Sequence, residues 1–351
     1  MKAVVRYGRE KGKVELRDVP IPKIDEGDVL IKIKAAGLCG SDINSINGKT
    51  EFHGNQVILG HEFAGEIVQM GKRVKSWKLG DRVVSDNSGY VCGRCHACIR
   101  GEFLLCKDRK FLGGDMDGGF AEYIKIQEDV LRTHPTCLMK IPDGISYEEA
   151  AILDPMCNGY NAVIQQGKMT LGDSVAVFGA GPLSLGAIQI AKAAGAVDVI
   201  CIARSSTNQL HLDMARKLGA TQVLLGDDDG LTEKVMEITK GEGVAIVLDG
   251  AGPNELFPLA MSLVRNGGKI VRIGYDWQGL GYSLNDLIDR NISLVGHMGY
   301  NPTAWKYVIK LLEAGMLDVK STITHVMPLE DFFKGVQAMV NREAIKVVFQ
   351  P

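Results

Sequence analysis

Up to about residue 152 the apolar positions fall in short alternating runs, at residues 3–7, 13–19, 29–35, 62–70, 82–85 and 121–126, separated by Gly, Pro and Asp. A period of two between turn residues predicts half-buried strands, hence an all-β domain. From about 153 to 295 the pattern changes. Apolar runs at 175–178, 197–202, 222–225, 244–248 and 269–273 alternate with stretches of helical period. That order predicts a parallel sheet with helices on both faces. The remainder reads as a helix over about 302–314, another near 329–339 and a last strand at 345–349. There is no internal repeat and no low-complexity segment.

A chain of 351 residues exceeds the size at which one core keeps growing, so two domains are expected. Forty basic against forty-two acidic residues give a net charge of −2. With no polybasic run, neither nucleic acid nor a membrane surface is an expected partner. The longest apolar stretches end well short of the roughly 20 residues a bilayer span needs, and MKAVVRYGRE has no signal-peptide pattern. A cytoplasmic protein is expected. In that setting eight cysteines favour reduced thiolates and metal over disulfides.

Four of those cysteines, Cys92, Cys95, Cys98 and Cys106, form C-x2-C-x2-C-x7-C in VCGRCHACIRGEFLLC. The spacing lets one short loop wrap a tetrahedral Zn²⁺. Four thiolates close the coordination shell, so this ion holds a loop together and leaves no open position for chemistry. A second set is dispersed: Cys39 in GLCGSD, His61 and Glu62 in GHEFAG, and Asp154 in ILDPMCNGYNA. Distant ligands of mixed softness are how catalytic zinc sites are built. Taken singly, each has a plainer use, as a small buried hydrophobe, a core histidine or a helix cap. A third element gives the set its weight. VAVFGAGPLSLGAIQIAKAAGA carries Gly179, Gly181 and Gly186 between an apolar run and a helical stretch, a strand, tight turn and helix whose free amides face a pyrophosphate.

With these motifs in order, the chain resembles the zinc-dependent medium-chain dehydrogenase/reductase family over nearly all its length, nearest the polyol and threonine dehydrogenase branches. The segments that carry the resemblance are GLCGSD at 37–42, GHEFAGEIVQMG at 60–71, GDRVV at 80–84, the four-cysteine lobe, GGFAEY at 118–123 and GAGPLSLGAIQIAKAAGA from 179. It implies an α/β plus all-β architecture, with a Rossmann doubly wound coenzyme domain at 153–295 and a GroES-like β-rich catalytic domain at 1–152, its zinc lobe at about 89–107. Residues 296–351 return to the catalytic domain. By the same resemblance Cys39, His61, Glu62 and Asp154 fall on catalytic-zinc positions, the four lobe cysteines on structural-zinc positions, and Ser41 on a proton-relay hydroxyl. Gly179, Gly181, Pro182 and Leu183 fall on the cofactor turn. A homodimer or homotetramer is implied.

The activity this implies is hydride transfer between a secondary alcohol or polyol, possibly phosphorylated, and a nicotinamide cofactor in a cleft between the domains, with zinc stabilising the alkoxide. Two alternatives belong to other classes: a nucleic-acid or protein-interaction module built on the cysteine lobe, against which the balanced charge and the complete Rossmann half argue, and a zinc-depleted relative of the same fold acting as a reductase or a non-catalytic binding protein. Glu62 has two roles open to it, transient zinc binding or orientation of the site through a nearby positive charge. Ser41 can relay a proton or cap a helix.

Four departures from the family pattern stand out. Asp154 replaces a Glu, one methylene shorter. Asn44 stands where many relatives have His, and Ser184 where the fingerprint has its third glycine. After the second Rossmann strand, ICIARSSTNQ lacks the carboxylate that would accept from a ribose 2′-hydroxyl. Arg204 and Ser205, with Ser206, suit a 2′-phosphate instead, so NADP(H) is expected in preference to NAD(H). The plainer use of the same arginine is a solvated loop charge. Pocket walls are expected from 41–46, Phe52, 111–116 and 297–300, and Lys49, His53 and Arg109 are the cations that could meet a substrate phosphate.

Overall fold

The computed structural model describes residues 1–52 and 54–351, so His53 lies outside the described residues. Two compact units divide the chain. The first comprises Met1–Asp154, Asn301–Glu313 and Val319–Pro351, and the second Pro155–Tyr300 with Ala314–Asp318.

The strands of the first part of the chain are β1 (Lys2–Arg6), β2 (Val14–Asp18), β3 (Val29–Gly37), β4 (Val57–Ile58), β5 (Glu62–Met70), β6 (Arg82–Ser85), β7 (Tyr123–Ile126) and β8 (Leu138–Lys140). Those of the second unit are β9 (Ser174–Phe178), β10 (Asp198–Ala203), β11 (Gln222–Leu225), β12 (Val244–Asp249), β13 (Val264–Arg272) and β14 (Ser293–Gly296). The chain then returns with β15 (Ile323–Pro328) and β16 (Lys346–Gln350).

In the first unit one sheet has the order β2-β1-β4, and a larger one runs β15-β16-β3-β5-β6-β8 with β7 also pairing β3. The second unit is a six-stranded sheet, β11-β10-β9-β12-β13-β14, parallel throughout. This is the GroES-like plus Rossmann architecture. No helix among the described residues is long and apolar enough to cross a membrane.

The returning segment is welded to the first unit by three rings. Phe120, Phe332 and Phe349 are all fully buried, with centroids 5.0, 5.7 and 5.2 Å apart pairwise. Two of the three pairs pack edge-on and the third is tilted, which adds to the burial of three large side chains. GGFAEY keeps its glycines for a reason of space. A Cβ on Gly118 would sit 2.0 Å from the carbonyl oxygen of Gly60, so the two backbones can meet only without side chains. That contact fixes the loop ending at His61.

β4, β8, β14 and β15 are missing from the hydrophobic pattern because they have little to alternate: β4 has two residues and β8 three, β14 is a largely exposed edge, and β15 has no fully buried position. β13 begins at Val264, five residues ahead of its predicted start: Val264 pairs with Val244 and Lys269 with Ile246, so residues 265–268 bulge out of the ladder, with Gly267 at φ +71°. The polar glycine-rich step hides the strand from a search for apolar runs.

Candidate active site and metal centres

Register brings the dispersed residues together. β3 and β5 run antiparallel with Gly37 opposite Glu62, so Cys39 just beyond one strand and His61 just before the other converge. Sγ of Cys39, a ring nitrogen of His61 and a carboxylate oxygen of Glu62 lie within 4.8 Å of one another. Cys39 is also the N-cap of the helix Gly40–Ile46, and Asp42 in that first turn locks the corner. Asp42 Oδ2 accepts from the Cys39 amide at 3.0 Å, and its Oδ1 lies 3.3 Å from His61 Nδ1. Nδ1 thus faces a carboxylate, which leaves Nε2, 3.4 Å from Ser41 Oγ, as the ring atom able to ligate a metal.

On the other side of the group, Glu62 is ion-paired. Its carboxylate oxygens lie 2.7 and 2.5 Å from Lys346 Nζ, which also donates to the carbonyl of Leu38 at 3.0 Å. Both side chains are buried. Burial would push the Lys346 ammonium toward its neutral form, but Glu62, with help from Cys39 and Asp154, outweighs it and holds the lysine above its ordinary value. Asp154 stands apart from the three converging donors. It is buried at the start of the helix Asp154–Tyr160, and its Oδ2 accepts from Asn87 Nδ2 at 3.2 Å.

The donor set fits a zinc ion: one soft sulfur, one oriented imidazole and one carboxylate. Burial depresses the His61 imidazole, yet Asp42 and the Cys39 sulfur more than compensate and carry it well above 6.5. A metal must displace that proton. Zinc affinity here is therefore expected to weaken progressively as pH falls below that raised value, because binding releases the proton. Zinc titration of the metal-free protein at graded pH checks this, and an affinity that does not change between about pH 5 and 8 contradicts it.

In the lobe the four cysteine sulfurs also lie within 4.8 Å of one another. Cys92 Sγ is 3.9 Å and Cys95 Sγ 3.6 Å from Cys98 Sγ. A tetrahedron with Zn–S bonds of about 2.3 Å has edges of about 3.8 Å, so the sulfurs stand at ligand spacing. Backbone N–H groups of Arg94 and Cys95 lower the Cys92 thiol to about 6, while burial and the neighbouring sulfurs push Cys98 up to about 12. Packing four sulfurs without a cation makes the last thiolate costly; a divalent ion removes that conflict.

In the second unit, β9 is followed by Gly179, whose φ of +96° turns the chain toward the helix Pro182–Ala193. Gly181 is the N-cap, offers no side-chain cap and has open space around it, so the first amides of the helix remain available to an anion. Ser184, in the third glycine's place, is buried and donates to the carbonyl of Phe178 at 3.1 Å. The extra hydroxyl is thereby satisfied inside a tight turn. At the end of β10, Arg204 pairs with Glu255 at 3.4 Å and Ser205 donates to Asp227. Arg109 is committed elsewhere, lying over the Phe111 ring and donating to the carbonyl of Leu104.

Two families match the two halves of this arrangement: "Alcohol dehydrogenase GroES-like domain" over residues 25–136 and "Zinc-binding dehydrogenase" over 182–314. The chain is a member of the zinc-dependent medium-chain dehydrogenase/reductase family. Among the relatives of this medium-chain dehydrogenase is an uncharacterised zinc-type alcohol dehydrogenase-like protein, YdjL of Escherichia coli, 41% identical over 99% of this chain and 98% of that one. An L-threonine 3-dehydrogenase of Bacillus licheniformis is 35% identical over 100% and 99%. A D-arabitol-phosphate dehydrogenase of Enterococcus avium is 32% identical over 100% and 97%. Among solved structures, 2R,3R-butanediol dehydrogenase of Bacillus subtilis superposes with a TM-score of 0.89 at 28% identity, covering 100% of this chain and 99% of that one. The chain is thus an alcohol dehydrogenase-like oxidoreductase of the zinc type.

Two members of the site are absent from the expectations. Asp42 had a signal, since an acid three residues after Cys39 is where an N-cap box places it. Lys346 had a signal too, a lone cation inside the apolar run AIKVVF, which a buried strand tolerates only opposite a carboxylate.

Proposed function

We propose that this dehydrogenase oxidises a secondary alcohol carrying a neighbouring polar group, a polyol or its phosphate, to the ketone with NADP⁺, and runs the reverse reduction. The convergence of Cys39, His61 and Glu62, braced by Asp42 and Lys346, carries the reading. Threonine, arabitol phosphate and butanediol, named for the relatives above, share a secondary hydroxyl beside a hydroxyl or amine. When bound, zinc lowers the pKa of the alcohol hydroxyl and the nicotinamide ring accepts hydride. In this scheme Cys39 and His61 hold the catalytic ion and Asp42 keeps His61 in its ligating tautomer. Glu62, neutralised by Lys346, adds a third donor without leaving an unpaired buried charge. Asp154 supplies the fourth contact, directly or through a water. Ser41, exposed beside His61, passes the released proton outward.

The lobe cysteines hold a second, structural zinc. The helix-terminal turn from Gly179 through Gly181, Pro182 and Leu183 takes the pyrophosphate. Ala203 ends β10 without a carboxylate, and Arg204 and Ser205 beyond it suit a 2′-phosphate.

Absorbance at 340 nm over a panel of polyols, polyol phosphates, threonine and simple secondary alcohols tests this reading. Chelator-sensitive turnover is expected, with NADP⁺ favoured over NAD⁺, and Arg204→Ala is expected to lower that preference about tenfold. A wild-type preference for NAD⁺ overturns the cofactor assignment. Chelator-insensitive turnover overturns the role of the zinc.

A further inference from the structure

The ends of β10 and β11 bring an unassigned carboxylate to the place where a 2′-phosphate would bind. The strands are parallel with Ala203 beside Leu225, and Gly226 N donates to the carbonyl of Ala203 at 2.7 Å. The residues just beyond each strand are therefore neighbours. Asp227 Oδ1 accepts from the Ser205 amide at 3.0 Å, and Oδ2 accepts from the Ser205 hydroxyl. Those two bonds, reinforced by the charge of Arg204, hold the Asp227 carboxyl below its ordinary range, so it is an anion at any working pH. Arg204 for its part reaches Glu255 at 3.4 Å. The donors on Ser205 that would grip a phosphate are thus already given to a carboxylate, and the guanidinium already has acidic company. Ser205 and Asp227 are both exposed, so a nucleotide can reach them.

We propose that Asp227 is a cofactor-specificity residue that works against the 2′-phosphate, competing with it for Ser205 and opposing it by charge, so that the NADP(H) preference conferred by Arg204 is held in check. The inference rests on the proposed placement of the adenosine ribose at the end of β10. Removing the charge while keeping the shape leaves the Ser205 amide an oxygen acceptor, frees the Ser205 hydroxyl, and leaves Arg204 facing one carboxylate instead of two. A ligand with a 2′-phosphate gains from that change; one with a 2′-hydroxyl gains little.

Calorimetric titration of the full-length protein with 2′,5′-ADP and 5′-AMP isolates this end of the cofactor and needs no turnover. Asp227→Asn is expected to lower the ratio of the 2′,5′-ADP Kd to the 5′-AMP Kd about tenfold at low ionic strength, and by clearly less near 0.5 M salt, about where screening reaches a few ångströms. Asp227→Glu, which keeps the charge, is expected to leave the ratio within about twofold of wild type. A shift below about threefold in Asp227→Asn, or an equal shift in Asp227→Glu, overturns the inference, since charge would then not be the cause. If the wild-type protein binds 5′-AMP more tightly than 2′,5′-ADP, the NADP(H) assignment fails, and the role of Asp227 is still decided by the shift. Binding of neither nucleotide overturns the placement itself.

Discussion

Cys39→Ser is expected to reduce kcat/KM at least about a thousandfold and to lower bound zinc from about two ions per chain to about one. The sulfur is the soft donor of its group. A serine hydroxyl is not ionised at neutral pH, so the variant offers only His61 and a carboxylate that is already neutralised by Lys346. Asp154, outside the converging set and hydrogen-bonded to Asn87, offers another hard oxygen and no replacement for the soft donor. Because Cys39 contributes its backbone to the N-cap and its amide to Asp42, both of which serine retains, the helix Gly40–Ile46 should survive. Metal analysis and kinetics on one preparation check this. Retention of both ions with turnover within tenfold of wild type would remove Cys39 from the catalytic site.

The second large effect is on stability. Lys346→Met is expected to cost about 3–5 kcal/mol, because it leaves the Glu62 carboxylate buried without its cation. For a unit of this size that corresponds to a fall in Tm of roughly 6–20 °C. The cost arises from an unpaired charge and not from lost volume, so adding Glu62→Gln to Lys346→Met should recover part of it, giving a double variant more stable than the sum of the two singles. Thermal unfolding of all four proteins measures the coupling. Strict additivity would show that the pair, though 2.5–2.7 Å apart, carries no energy of its own.

The long, strongly patterned elements could be read from the chain. β5 and β6 keep their predicted bounds, as does β11, because each alternates or runs apolar between clear turn residues. The clustering of the lobe cysteines was legible for a local reason: their spacing is a property of fifteen consecutive residues. The braces of the other site were not. Asp42 acts on a histidine nineteen positions away, and Lys346 on a glutamate 284 positions away. Such pairings are made by strand register and by the return of β16 to the sheet, which periodicity does not encode. Asp154 shows the converse. Its place in the sequence marks it as a ligand by resemblance, whereas its side chain reaches Asn87, a partner that only the fold supplies.

The position of Lys346 also bears on how the protein is made. Glu62 and its neighbours leave the ribosome early, but the cation that neutralises them lies on one of the last strands of the sheet, beside β3. The carboxylate can enter the interior without an unpaired charge only after β16 docks, and the three phenylalanine rings close at the same step. The first unit is thus discontinuous in time as well as in sequence: the Rossmann unit, made almost wholly in between, can fold while the first unit is still waiting for its counterion.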